Sequence, residues 1–402
     1  MRELKIMMRT LFDLVCILPA YCGFSGDVIN ERSFTLALAK ALAPNTLLIF
    51  SLIPITKIHF SKKCTNEVLR KVKNLKVIWI PIPFYPALLY FILSSFISLL
   101  LSLLLSLIKV KVVYIRGSHL SIGMYHLRSQ KKKIIVKIPS VTEDEIIGSA
   151  FEHRILKILI DVFDRHALYK ADRIVTDTIT FYNTLVIRRG ILHASKPIIL
   201  PPGIDSSIMG KIRMNTKPIA NGSIRVGFIG TLYWWQGVDI LCRAIALARK
   251  KKSNIHLLII GDGPQRPFIE RLCKELELPY EITGYLPHEK ALSMLKMMDM
   301  LVIPSRRTST RETKIPIKII EAWALGIPVI TTKHKVFQDY NIKDMEEVIY
   351  CEPDPYDVAN KILMVINDQE LMHKLQINGY KISKKFEYEH IAQKFLSELN
   401  LV

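Results

Sequence analysis

The sequence has no C-x-x-C pair and no His/Cys cluster at metal-ligand spacing, which removes a metal or dithiol reading of its six cysteines. Cys16, Cys22, Cys64, Cys242, Cys273 and Cys351 read instead as reduced structural thiols of a cytosolic compartment. No G-x-x-x-x-G-K-S/T, H-E-x-x-H or G-x-S-x-G is present, so the common nucleoside-triphosphatase, zinc-peptidase and serine-hydrolase signatures are missing. Acidic residues are scarce, 36 Asp and Glu against 56 Lys and Arg. The resulting formal charge of +20 suits an anionic partner, whether nucleic acid, acidic lipid or phosphorylated substrate, without choosing among them.

No long polar or repetitive tract interrupts the chain, and half of its residues are hydrophobic. It is therefore a folded protein, and 402 residues predict two domains of about 150 to 200 residues each. The opening segment MRELKIMMRTLFDLVCILPAYCG has basic residues before an apolar stretch. Asp13 interrupts that stretch and no small-x-small cleavage pattern follows, so residues 11–18 predict a first buried strand.

Strand-length apolar runs alternate with helix-period segments, the pattern of parallel α/β layers. The first series predicts a strand in LFDLVCILP, a helix over 29–42, strands in TLLIFSLI, VIWIPI, VKVVYIRG and KIIVKIP, a helix over 150–170, and DRIVTDT and PIILPPGID. Residues 206–223 lack apolar period and collect Ser, Asn, Gly and Pro, predicting a linker. A second series follows from IRVGFIGTL, with helices over 237–250, 265–275 and 288–297. Ligands of such sheets bind beyond the carboxyl ends of the strands, and the cleft between two such domains is the default site.

GDGPQR, after the strand HLLII, begins like a dinucleotide fingerprint, but Arg266 stands at the third glycine position and the domain's first strand ends in FIGTL. A nicotinamide or flavin dehydrogenase is disfavoured. In FIGTLYWWQGVD, Gly230 allows close approach of backbone to a ligand, and Gly237 stands where helix N–H groups can face an anion. An ordinary tight turn is the alternative. Trp234 and Trp235 either stack on a sugar or pack between domains.

IPIKIIEAWALGIPVI, residues 315–330, holds one lysine and one glutamate in an apolar run. Pro316 suits a first helical turn and Gly326 a C-terminal cap, predicting a helix over 316–325. Lys318 and Glu321 then share one face of its first two turns. A lysine at that positive end is repelled unless an anion is present, and a phosphate resolves the conflict. Glu321, one turn on, can accept hydrogen bonds from vicinal hydroxyls such as those of a ribose. A solvated lysine and a locally capping glutamate are the alternative.

Taken in order, GFIGTLYWWQGVD, LLIIGDGP, ITGYLPHEK, MLVIPS and P-I-K-I-I-E-A-W-A-L-G-I-P-V-I resemble the donor-binding half of the family-four glycosyltransferases with the GT-B fold. KADRIVTDT with ILPPGID resembles the end of their acceptor-binding half, and KKFEYEHIAQKFLSEL their final helix, which crosses back to the first domain. The resemblance covers about residues 10–398. It implies an α/β fold of two Rossmann-like doubly wound domains facing a cleft: an acceptor domain over 1–205, a linker over 206–223, a donor domain over 224–378, and a returning helix over 379–402.

By the same resemblance Lys318 reaches the diphosphate and Glu321 holds the ribose, and these two form the catalytic pair. Backbone at Tyr285 and Leu286 contacts the base, and Gly230 leaves room for phosphates or acceptor. Thr231, Gln236, Gly237, Gly261, Asp262, Gly263, Pro316 and Ile317 complete the donor side. Gly23, Phe24, Ser25 and Gly26 line the acceptor side. Such enzymes move a sugar from a nucleotide diphosphate to a hydroxyl, usually with retention. The implied donor is a nucleotide sugar, with no bound metal, no separate cofactor and no nucleic-acid partner.

The sequence departs from the family where Thr231 and Gln236 replace an Arg and a Lys, and where Thr313 stands eight residues before Glu321, with Glu312 one position off. It fits a P-x-K-x-x-E variant, and KIPSVT lacks the histidine that relatives often carry there. Arg306, Arg307 and Arg311 are candidates to replace the missing charge. A catalytically silent GT-B scaffold of a glycan-assembly complex is therefore the second reading, and a sugar-nucleotide epimerase a third.

No charged residue occurs from Val77 to Ile108, and residues 86–108 are long and apolar enough to span a bilayer. Strand-like runs of one sheet flank them, which opposes a single crossing. Ser94, Ser98, Ser102 and Ser106 recur every four residues, predicting a helix that rests on its own domain by the serine side and dips its Leu-rich face, including Leu100, Leu103 and Leu104, into lipid. Burial between neighbours is the alternative. Lys109, Lys111 and Lys131 to Lys133 are expected at acidic head groups. The resulting expectation is a peripheral or monotopic protein on the cytoplasmic face of the cell membrane, acting on a lipid-linked or glycan acceptor.

Overall fold

The computed structural model describes residues 11–18, 26–54, 72–83, 87–139, 150–191, 194–215, 222–308 and 312–401. The chain divides into two compact units, one of residues 1–201 with 388–402, the other of 202–387.

In the first unit β1 (Leu11–Leu18), β2 (Thr46–Pro54), β3 (Leu75–Ile82), β4 (Lys109–Arg116), β5 (Lys133–Lys137), β6 (Arg173–Thr176) and β7 (Pro197–Ile199) form one sheet in the order β3-β2-β1-β4-β5-β6-β7. Every pairing is parallel. Such strands are covered on both faces, which is why they read as continuous apolar runs. Leu14, Cys16 and Leu18 of β1 face one buried cluster, while Phe12, Val15 and Ile17 face the other. Asp13, the charge inside β1, is buried and pairs with Lys111 at 2.6 Å.

The first unit's helices are α1 (Gly26–Ala41), α2 (Ala87–Leu107), α3 (Ala150–Lys170) and α4 (Ile179–Arg189). Phe34 of α1 packs its ring against Phe395 and Tyr388, so the terminal segment closes one face of this sheet.

The second unit holds β8 (Ile224–Ile229), β9 (Ile255–Ile260), β10 (Tyr280–Ile282), β11 (Met300–Ile303), β12 (Val329–Thr332) and β13 (Ile349–Cys351) in the order β10-β9-β8-β11-β12-β13. This sheet too is parallel throughout. Its helices are α5 (Ser206–Asn215), α6 (Val238–Arg249), α7 (Arg266–Glu275), α8 (His288–Leu295), α9 (Ile317–Ala324), the short α10 (Val336–Asp339), α11 (Pro355–Asn367) and α12 (Gln369–Ser383); α13 (Tyr388–Glu398) belongs to the first unit.

Two boundaries differ from those read in the sequence. Helix α5 occupies 206–215, where a linker was expected. The Asp205 carboxylate accepts the N–H groups of Ser207 and Ile208 at 3.0 and 3.2 Å, and Met209 and Ile212 are buried in the second unit's core. That capping and one apolar pair suffice for a short helix. At the other end, residues 379–383 finish α12 instead of starting the returning helix. Gly379 lies against the Trp323 indole, and Phe386 packs on Tyr340. The return to the first unit thus begins at Tyr388.

Candidate functional site

The second unit gathers its polar residues at the carboxyl ends of β8, β9 and β11. Gly230 directly follows β8 with φ 133°, a region that favours glycine, and the Lys318 ammonium occupies the space where its Cβ would lie. Lys318 Nζ sits 4.2 Å from the centroid of the buried Phe228 ring and 3.4 Å from Gln236 Oε1. Gly230 and Gln236, from one turn, are thereby clustered with Lys318, 82 residues beyond Gln236. The ring and the amide oxygen both favour a cation there.

Helix α9 begins after Pro316, whose backbone is extended and which supplies no side-chain cap. Ile317 and Lys318 form its first turn, so amide groups and the lysine converge at its positive end. Glu321, one turn on, is buried, and its Oε1 lies 2.7 Å from His288 Nε2 of α8. Motif spacing did not assign His288 a role. It lies 33 residues from Glu321, and no local signal joins them.

The neighbouring glycines serve close packing. A Cβ on Gly261 would collide with the Gly230 carbonyl, and one on Gly263 would lie 2.6 Å from Leu232 N. Gly237, at φ 73°, precedes α6 and packs its α-carbon on the Pro304 carbonyl. The Gly263 N–H and then Arg266 hold the Asp262 carboxyl below its ordinary pKa. Arg266 is committed to Asp262 and Glu270 at 2.9 and 2.8 Å. Thr231 and Tyr285 are exposed, and Leu286 packs against the core. On the acceptor side Gly26 opens α1, while Gly23, Phe24 and Ser25 lie outside the described residues.

The arginines expected to replace missing charge have other partners. Arg306 clamps Asp239 at 2.9 and 2.6 Å and donates to the Trp234 carbonyl at 2.6 Å. Arg307 pairs with Glu352 at 3.1 Å, and Arg311 lies outside the described residues. Glu312 accepts from Lys335 N–H at 2.8 Å and meets His334 Nδ1 at 3.2 Å, while Thr313 is buried. The two tryptophans behave differently: Trp235 stacks on Tyr233 at 4.4 Å, and Trp234 is exposed. Among the described residues no group of three or more His, Cys, Asp and Glu is placed to hold a metal ion.

In the first unit α2 separates its residues into two faces. Ser94, Ser98 and Ser102 are fully buried; Ser98 donates to the Leu120 carbonyl and Ser95 to that of His119 at 3.3 Å. A Cβ on Gly123 would lie 2.9 Å from Leu99 Cα, a close seat for the helix. Leu89, Ile92, Phe96, Leu99, Leu100, Leu103 and Leu107 are 41–61% exposed and recur at helical spacing. Leu104 is half-buried against the core, and Ser106 is half-buried too, so the two faces meet there. Two expected head-group lysines are otherwise engaged. Lys132 is buried, donating to the Leu105 and Ile108 carbonyls at the end of α2, and Lys111 pairs with Asp13.

Two doubly wound parallel units, the second with its polar cluster beyond the strand ends, define the GT-B fold. A sucrose-phosphate synthase from Thermosynechococcus elongatus superposes with a TM-score of 0.70 over 96% of this chain and 98% of that one, at 18% identity. The family profile described as Glycosyl transferases group 1 matches residues 212–382. That match lies within the second unit. It is 30% identical over 163 residues to an uncharacterized glycosyltransferase of Methanocaldococcus jannaschii, covering 40% of this chain and 44% of that protein. It is 22% identical over 282 residues to a phosphatidylinositol N-acetylglucosaminyltransferase subunit of Arabidopsis thaliana, covering 68% of this chain and 57% of that one. The chain spans about half the length of these curated relatives.

Proposed function

We propose that the protein moves a sugar from a nucleotide-diphosphate donor to a hydroxyl of a lipid-linked or other membrane-borne acceptor, with retention, at the cytoplasmic face of the cell membrane. The observation that carries the donor half is the cluster of Lys318, Gly230 and Gln236 at the amino end of α9. The lysine and the uncapped amides face where a departing diphosphate gains charge, and they stabilise it without being rebuilt during the reaction. Glu321 accepts ribose hydroxyls, and Gly230 leaves the room that the Lys318 ammonium takes.

The acceptor half rests on the outer face of α2. Strands β3 and β4 lie in one parallel sheet, which supports reading the helix between them as a crossover of that sheet that does not cross the bilayer. Its leucines enter the lipid from one side, which brings a soluble donor and a membrane-borne acceptor to the same protein. The relative named for phosphatidylinositol is consistent with such an acceptor.

The experiment is thermal stabilisation by a panel of nucleoside diphosphates and their sugars. A ligand at 100 times its dissociation constant adds about 2.7 kcal/mol. If none shifts the melt, the scaffold reading takes over; it is favoured by the engagement of Arg306 and Arg307 with Asp239 and Glu352, which leaves Thr231 and Gln236 uncompensated by either. Transfer is expected to survive EDTA, with Lys318 and the α9 amides in the place of a metal ion; loss on chelation restored by Mg²⁺ or Mn²⁺ contradicts this.

A further inference from the structure

Glu321 has 7% of its side chain exposed and is flanked in α9 by the buried Ile319, Ile320, Ala322 and Trp323. A carboxylate in such surroundings is costly unless it is paired and hydrogen-bonded. His288 supplies that partner at 2.7 Å, and a hydrogen bond to a carboxylate oxygen requires the proton on Nε2. The imidazole is therefore the donor. His288 is the first residue of α8 and follows the turn Gly284 to Pro287, in which Tyr285 and Leu286 were assigned to the base. One hydrogen bond joins the base loop to the ribose carboxylate. A carboxylate offers about four acceptor positions. His288 uses one, on Oε1, and hydroxyls can be accepted at the others.

We infer that His288 is a positioning residue for nucleotide recognition: it holds the Glu321 side chain in the conformation that receives the ribose hydroxyls, and it acts through Glu321 without touching the nucleotide. This rests on the donor reading above. It adds a residue from a different helix to the ribose subsite and makes the placement of α8 a determinant of donor affinity.

The test is calorimetric titration of UDP, GDP and ADP, and of their 2′,3′-dideoxy counterparts, into wild type, His288→Ala, His288→Gln, Glu321→Gln and the His288→Ala/Glu321→Gln double variant. Glutamine places an amide N–H near the position of imidazole Nε2 and keeps the donor. His288→Ala is expected to lose about tenfold in affinity for the ribonucleotide that wild type binds, with its dideoxy counterpart within about twofold and no further loss in the double variant. His288→Gln is expected to recover most of the affinity. Equal losses for ribo- and dideoxynucleotides, additive losses in the double variant, or a folded His288→Gln as weak as Glu321→Gln overturns the positioning role while the donor site stands. If wild type binds none of the three diphosphates, the donor reading and the role of His288 fall together.

Discussion

The Lys318 ammonium lies 4.2 Å from the centroid of the Phe228 ring, over Gly230, where a side chain would collide with it. A strand-end glycine and a lysine 88 positions later are thus parts of one device. The ring comes from β8, so the lysine is directed by the sheet and not by its own helix alone.

Removing the lysine is expected to act on the chemical step. Lys318→Ala should reduce transfer by about 2 to 4 kcal/mol, on the order of 10² to 10³ in rate, as for a lost oxyanion donor. Glu321→Gln should mainly weaken nucleotide binding. Steady-state kinetics on both variants checks the split, and normal turnover and donor binding in both would make the pair structural.

Gly230→Ala tests the same cluster from the other side. The φ of 133° strains any L side chain, and the new methyl displaces Nζ. A loss of about 1 to 3 kcal/mol in stability is expected from the backbone alone. Donor affinity should fall as well, because the lysine moves. A variant with a lower melting point and unchanged donor affinity would show that the lysine regains its place.

Helix α2 gives opposite outcomes on its two faces. The protein should pellet with membranes and be released by detergent but only partly by high salt, since salt screens charge and not apolar burial. Changing Leu100 and Leu103 to Gln should shift it to the soluble fraction with an unchanged melt. Ser98→Leu should instead cost about 1 to 3 kcal/mol, because bulk is added at a buried contact with the Leu120 carbonyl. A wild type that stays soluble withdraws the membrane-borne acceptor.

His119 makes the seat of α2 sensitive to pH. Its ring lies 4.6 Å from that of Phe91 and 5.7 Å from that of Tyr90, and Nε2 has no hydrogen-bond partner among the described residues. Burial lowers its pKa from 6.5 to about 4. The unfolded chain therefore takes up the proton first as pH falls. The stability is fully present above pH 6.5 and is lost toward about pH 4, by up to about 3 kcal/mol. Urea unfolding of wild type and His119→Gln at pH 7.5 and 4.5 checks this. The variant should lose less on acidification, and equal losses would place the sensitivity elsewhere.

Much of this was legible in the chain before any tertiary structure. Parallel strands buried on both faces must be continuous apolar runs, so β1 could be read at Leu11–Leu18 despite Asp13. Helix α9 announced itself through Pro316 and Gly326, and the serine period of α2 marked its inner face, because both signals are local and periodic. What the tertiary structure alone decided were partners at long separation. Whether Arg306 is free or clamped on Asp239, whether Lys132 meets solvent or the carbonyls ending α2, and which side chain meets Glu321 depend on how strands and helices pack in three dimensions. A charged side chain takes whichever partner its backbone brings within about 3 Å, and sequence spacing carries no record of that distance once the two residues stand on different elements.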